Sequence, residues 1–90
     1  MLKSLEELIK TIRDRKYNPK ENSYTNQLLA DKKLSLDKVK EEIQELIESI
    51  EKDTNKIHEG ADVIYHLLVY LEANEIKIED IIEELKKRKK

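Results

Sequence analysis

The chain has 90 residues, 42% charged and 38% hydrophobic, with 18 basic against 20 acidic side chains and no cysteine. That composition excludes disulfides, thiolate metal centres and cysteine nucleophiles, and the interleaved charges, net −2, exclude a global field that would draw in nucleic acid or membrane. One glycine and one proline predict a single all-α domain over residues 1–90, four to five helices in a bundle, with a small core because so short a chain buries only about 60% of its unfolded surface.

The opening "MLKSLEELIK" is charged every few residues and holds no apolar signal core. No run approaches the ~18 apolar residues of a membrane span, so cytoplasmic residence is expected. A first helix is predicted from about Leu5 to Lys16, with Ser4 as N-cap, Glu7 closing a capping box, and Leu5, Leu8, Ile9 and Ile12 on one face. "YNPKENS", Tyr17 to Ser23, reads as a loop around the only proline. A short helix from about Tyr24 to Ala30 follows, capped by Ser23, with Leu28 and Leu29 turned inward.

The third helix is expected after Ser35 and on to about Lys52, because Leu36, Val39, Ile43, Leu46, Ile47 and Ile50 recur at helical spacing. "KDTNK" makes a tight connection with Asp53 or Thr54 as the next N-cap. The fourth helix runs from about Lys56 to Ala73, with Asn74 as its left-handed C-terminal residue. A last helix, about Glu79 to Lys89, carries Ile78, Ile81, Ile82 and Leu85 and ends in the basic run "KKRKK", which suits a helix C-terminus.

Between residues 61 and 71 the fourth helix is apolar almost all the way round, more than a chain of this size covers by itself. A homodimer, or an assembly of dimers, is therefore expected, with helices three and four of the chains meeting in a bundle. Threaded through the same helix are Glu59, Asp62 and His66, which fall within about 60° of one another on the helix wheel.

The third helix offers Glu41, Glu42 and Glu45, the fourth Glu59 and Asp62, so each carries an acidic pair three residues apart. Such a pair reaches one point beside its helix, and an antiparallel hairpin brings the two pairs face to face. Gathered carboxylates repel one another without a cation, and an oxygen-only donor set suits Mg²⁺ or Mn²⁺, whereas zinc would need His58 and His66, which form no H-x-x-x-H pair. In so charged a chain, acidic residues at this spacing also occur on any solvated helix face. Site and surface both stand at this point.

Four segments in order break the tie. "LEELIKTIRDRKYNPKENSYTNQLL", "KVKEEIQE", "EGADVIYHLLVYL" and "IKIEDIIEELKKR" cover nearly the whole chain and resemble the phosphoribosyl-ATP pyrophosphohydrolases, within the MazG-like all-α nucleotide pyrophosphohydrolases. The resemblance implies Mg²⁺-dependent hydrolysis of phosphoribosyl-ATP to phosphoribosyl-AMP and pyrophosphate, the second step of histidine biosynthesis. It maps the E-x-x-E and E-x-x-D ligand pairs onto Glu42, Glu45, Glu59 and Asp62, and makes Glu41, Glu42 and Glu45 the candidates for orienting the water. It also implies phosphate contacts from Lys38, Arg13, Arg15 and Lys16, and a substrate-proximal loop at Ser23, Tyr24 and Thr25.

His66 is then expected to hydrogen-bond Asp62 one turn earlier, and Tyr65 to pack or line the pocket. Departures from the family pattern are Lys40 in place of Gly, Gly60 in place of Ala, and Lys77 where Ser would cap the last helix. The small Gly60 would admit a close helix or ligand. A MazG-like enzyme acting on a non-standard nucleoside triphosphate, and a helical interaction module without catalysis, remain the alternatives.

Overall fold

Five helices, with no strand among the described residues, make up the protein: α1 (Lys3–Tyr17), α2 (Tyr24–Ala30), α3 (Lys32–Lys52), α4 (Lys56–Ala73) and α5 (Ile78–Lys87). They are seen in a computed structural model that describes residues 2–89. The all-α expectation holds.

Helices α1 and α3 start earlier than expected. The N-cap of α1 is Leu2, without a side-chain bond, so Ser4 lies inside the helix and forms no cap. In α3 the cap is Asp31, whose carboxylate accepts from the Leu34 N–H, and the helix begins a turn before Ser35. The earlier start buries Ser35 and brings Leu34 against the core. Helix α2 begins as expected, with Ser23 Oγ accepting from the Asn26 N–H at 3.3 Å. Asn26 then joins α1 to α2, donating from Nδ2 to the Arg15 carbonyl at 2.7 Å and accepting from the Lys20 N–H at 2.9 Å.

The α3–α4 turn is tight. Asp53 is left-handed (φ 55°) and ends α3, Asn55 rather than Asp53 or Thr54 is the N-cap of α4, and the Lys56 ammonium donates back to Asp53. At the far end of α4 the left-handed residue is Glu75 (φ 60°), not Asn74, whose side chain donates to the Tyr70 carbonyl at 2.8 Å. An amide that binds the last turn directly leaves the backbone reversal to its neighbour. Helix α5 starts at Ile78, after Lys77, and ends at Lys87; Lys90 lies outside the described residues.

The core centres on Ile12, Leu28 and Val69, with Leu8, Leu29, Leu34, Tyr65 and Leu68 packed around it. Leu28 and Val69 are fully buried and each contributes roughly 1.5–3 kcal/mol. This core lies where α1, α2 and α4 meet, which leaves the outer face of the α3–α4 hairpin apolar and uncovered. Ile43, Ile47 and Ile50 on α3 and Ile64 and Leu67 on α4 are between 41% and 59% exposed.

Candidate active site

The hairpin aligns its acidic pairs. Running antiparallel from the short turn, α3 and α4 bring one carboxylate oxygen each of Glu42, Glu45 and Glu59 within 4.8 Å of one another. A second group, His58, Glu59 and Asp62, shares Glu59 and lies within the same span. All four residues of the E-x-x-E and E-x-x-D pairs therefore gather along one side of the hairpin.

Electrostatics show what this gathering costs. Glu42, its side chain 12% exposed, has its carboxyl pushed up to about 7 by burial first and then by Glu45, Asp62 and Glu59. Burial and Glu45 also raise Glu59. One oxygen of each, Glu42 Oε2 and Glu59 Oε2, is buried without a hydrogen-bond partner. Two orphaned buried acceptors inside a crowd of like charges are what a bound hard cation would satisfy, and these residues could hold one.

Glu41 stands apart from both groups, exposed, with its Oε2 3.2 Å from Lys38 Nζ. Lys38 is within electrostatic reach of Glu42 and of the Tyr24 hydroxyl. Tyr24 is 43% exposed and lies against Tyr65 and His66. Tyr65 in turn exchanges a 2.5 Å hydrogen bond with Thr25, which ties the N-terminus of α2 to the middle of α4. Tyr24, Thr25, Tyr65 and His66 thus form one wall beside the carboxylates, and Lys38 the basic edge.

His66 does not bond Asp62. Its Nε2 faces across the hairpin to Glu42 Oε1 at 3.9 Å, whereas Asp62 Oδ2 is 3.3 Å from His58 Nε2. Burial lowers the pKa of His66, which favours the neutral ring. The partner of Asp62 was missed on the sequence, although His58 stands four residues before it, the spacing that puts two side chains on one helix face.

Two of the basic candidates lie elsewhere. Arg13 binds Glu79 through its two terminal guanidinium nitrogens and approaches Glu72 with Nε, and Lys16 donates to the Glu72 carbonyl at 3.2 Å. Glu72 is roughly 15 Å along α4 from Asp62, so these two side chains are engaged at the opposite end of the helix from the acidic pairs. Arg15 Nε is buried without a partner. Gly60 has open space where a Cβ would stand, so no neighbouring helix requires its small size.

Comparison with known proteins gives the family. The family described as phosphoribosyl-ATP pyrophosphohydrolase matches residues 5–89. The chain is similar to the phosphoribosyl-ATP pyrophosphatase of Clostridium novyi (strain NT), with 51% identity covering 96% of this chain and 81% of that protein. It is also similar to that of Halobacterium salinarum (strain ATCC 29341 / DSM 671 / R1), with 44% identity covering 94% of this chain and 96% of that protein. By the extent of these matches, the chain belongs to the phosphoribosyl-ATP pyrophosphohydrolase family.

Proposed function

We propose that the protein hydrolyses phosphoribosyl-ATP to phosphoribosyl-AMP and pyrophosphate in histidine biosynthesis, with Glu42, Glu45, Glu59 and Asp62 holding Mg²⁺, or Mn²⁺ in its place. The observation that carries the reading is the meeting of carboxylates from two helices within 4.8 Å, two of them with an oxygen left unpaired. A divalent cation bound there supplies positive charge against the triphosphate and the departing pyrophosphate.

The chain's own groups supply the rest. Two carboxylates among Glu41, Glu42 and Glu45 accept the two hydrogens of the attacking water and orient it, so that the water attacks at the α,β-anhydride, pyrophosphate leaves and no covalent intermediate is needed. Lys38 draws a phosphate to the edge of the site as a point charge. The wall of Tyr24, Thr25 and Tyr65, with Ser23 capping α2 behind it, borders the place for the nucleoside part. Arg15 Nε is unpaired but buried, so Arg15 would have to turn outward to meet a phosphate, and Arg13 and Lys16 would have to leave their carboxylate and carbonyl partners.

A homodimer is part of the proposal, because the exposed isoleucines of the α3–α4 hairpin form an apolar face that a second copy would cover. The cytoplasm is the proposed compartment, as befits a biosynthetic family. No helix among the described residues is long and apolar enough to cross a membrane.

Release of pyrophosphate from phosphoribosyl-ATP under Mg²⁺, compared with dCTP and dUTP, tests the activity. Phosphoribosyl-ATP should be the faster substrate, and replacing Glu45 or Asp62 by Ala should remove the release. Faster turnover of dCTP or dUTP overturns the substrate, and undiminished turnover by Asp62→Ala overturns the site.

A further inference from the structure

His66 and Glu42 face each other across the hairpin, and each has an unsatisfied atom. The His66 side chain is 7% exposed and that of Glu42 12%, with 3.9 Å between Nε2 and Oε1. His66 Nδ1 and Glu42 Oε2 are both buried without a partner. Buried polar groups are nearly always hydrogen-bonded, so Glu42 Oε2, left short beside Glu45 and Glu59, is best explained by something bound between the carboxylates, while Oε1 faces the imidazole Nε2.

We infer that His66 is the positioning residue for Glu42: its Nε2–H donates to Glu42 Oε1 and thereby directs Oε2 into the Glu45–Glu59 cluster. This rests on the reading of that cluster as a cation site. The imidazole is the fixed partner, because the rings of Tyr24 and Tyr65 stand edge-on to it, with centroids 5.7 and 5.0 Å away and both planes at 81°. These contacts hold the ring with Nε2 toward Glu42. The Glu42 side chain has three rotatable bonds and closes the gap by a small torsional change. Once one oxygen is held, a single orientation of the carboxylate remains, and less freedom is lost when a cation binds.

The test is Mn²⁺ affinity, measured on the full chain by calorimetry and by the paramagnetic resonance of free Mn²⁺. Removing a hydrogen-bond partner of a ligand typically weakens binding about 10–100-fold, and His66→Leu should do so. His66→Gln, whose amide nitrogen falls near the position of Nε2, should restore binding to within a few-fold of the parent, whereas His66→Asn, which mimics Nδ1, should not. Nitrogen-15 resonance of the parent ring should show the Nε2–H tautomer, a readout that requires no variant.

Parent-like Mn²⁺ binding by His66→Leu, equal binding by the Gln and Asn variants, or the Nδ1–H tautomer each overturns the inference. Glu42→Gln separates the two levels of the argument. If it loses Mn²⁺ while His66→Leu binds normally, only the positioning role fails. If it binds Mn²⁺ as the parent does, or if the parent binds none, the cation site fails and the inference with it.

Discussion

Arg13 and Glu79 meet in a two-pronged ion pair, Nη1 to Oε2 at 2.9 Å and Nη2 to Oε1 at 2.8 Å, which ties α1 to the first turn of α5. The guanidinium hydrogen bonds, with the residue's own backbone N–H second, hold the Glu79 carboxyl down to about 2 from its ordinary 4.5. A folded value below the unfolded one means that this stabilisation is whole above about 4.5 and is lost as pH falls toward about 2. Both side chains are open to solvent, so the effect is small and falls with added salt. Glu79→Gln should melt slightly lower than the parent near neutrality and lose less on acidification. Thermal melts across that acid range check it, and identical acid dependence of the two proteins refutes it.

Glu42 has the opposite sign. Its carboxyl is pushed up to about 7 from an ordinary 4.5, so between those values the folded state binds more protons than the unfolded one, and stability falls as pH rises through the window. In chelator, the parent should therefore lose stability on going from about pH 5 to 8, and Glu42→Gln should lose less. Saturating Mg²⁺ should rescue the parent, by about 2.7 kcal/mol at a hundred times the dissociation constant, and fail to rescue the variant. Turnover by Glu42→Gln should fall roughly 100-fold or more, the scale of losing one preorganised charge-stabilising group. Denaturant titrations at the two pH values and a pyrophosphate assay measure these effects.

The helix bodies and the four acidic positions were legible because both depend on spacing along one helix. Leu8 and Ile12, or Glu42 and Glu45, share a face whatever the rest of the chain does. The ends were harder to read. Asp31 and Ser35 both offer a cap, and the earlier one prevails because Asp31 accepts from the Leu34 N–H and the added turn packs Leu34 against the core. Relations between helices were hidden for a different reason: a wheel puts His66 over Asp62, and only the register of α3 against α4 turns it to Glu42. Nor does spacing reveal that Arg13 and Lys16 are taken up by Glu79 and Glu72.

Gly60 lies in the second turn of α4 beside both Glu59 and Asp62, and a Cβ there would meet nothing within 4 Å. Glycine in a helix interior costs about 1 kcal/mol relative to alanine, largely through the freedom of the unfolded chain. Gly60→Ala should therefore stabilise the protein by about that amount, raising the melting temperature by roughly 4–8 °C. Turnover should be retained, since the methyl displaces no protein atom. A melting curve checks the first expectation, and lost activity with a raised melting temperature would show that substrate needs the space.

The 2.5 Å bond between Tyr65 and Thr25 is the polar tie from α4 to α2. Tyr65→Phe keeps the ring against His66 and removes only the hydroxyl, leaving the part-buried Thr25 hydroxyl without that partner. The cost should be about 1 kcal/mol. If the tie also holds Tyr24 in place beside the carboxylates, the KM for phosphoribosyl-ATP should rise more than kcat falls, because binding rather than chemistry is disturbed. Equal loss in both parameters would argue against that role.

Ile47 tests the dimer. It is 44% exposed on α3, between Ile43 and Ile50, which are 42% and 59% exposed. In a two-fold interface every substitution occurs twice, so Ile47→Glu removes two apolar contacts, each worth roughly 1.5–3 kcal/mol when fully buried, and brings two like charges near one axis. The chain's own core of Ile12, Leu28 and Val69 does not include Ile47, so the helices should persist while association is lost. Sedimentation at micromolar concentration should give twice the 10.7 kDa chain mass for the parent and the single mass for the variant, with circular dichroism little changed. A parent that sediments as one chain removes the dimer; a variant that sediments as two moves the interface off this face. The groove of about 700 Å³ between α1, α4 and α5, lined by Leu2, Leu5, Ile9, Ile64, Leu68 and Ile82, is then the next apolar surface to substitute.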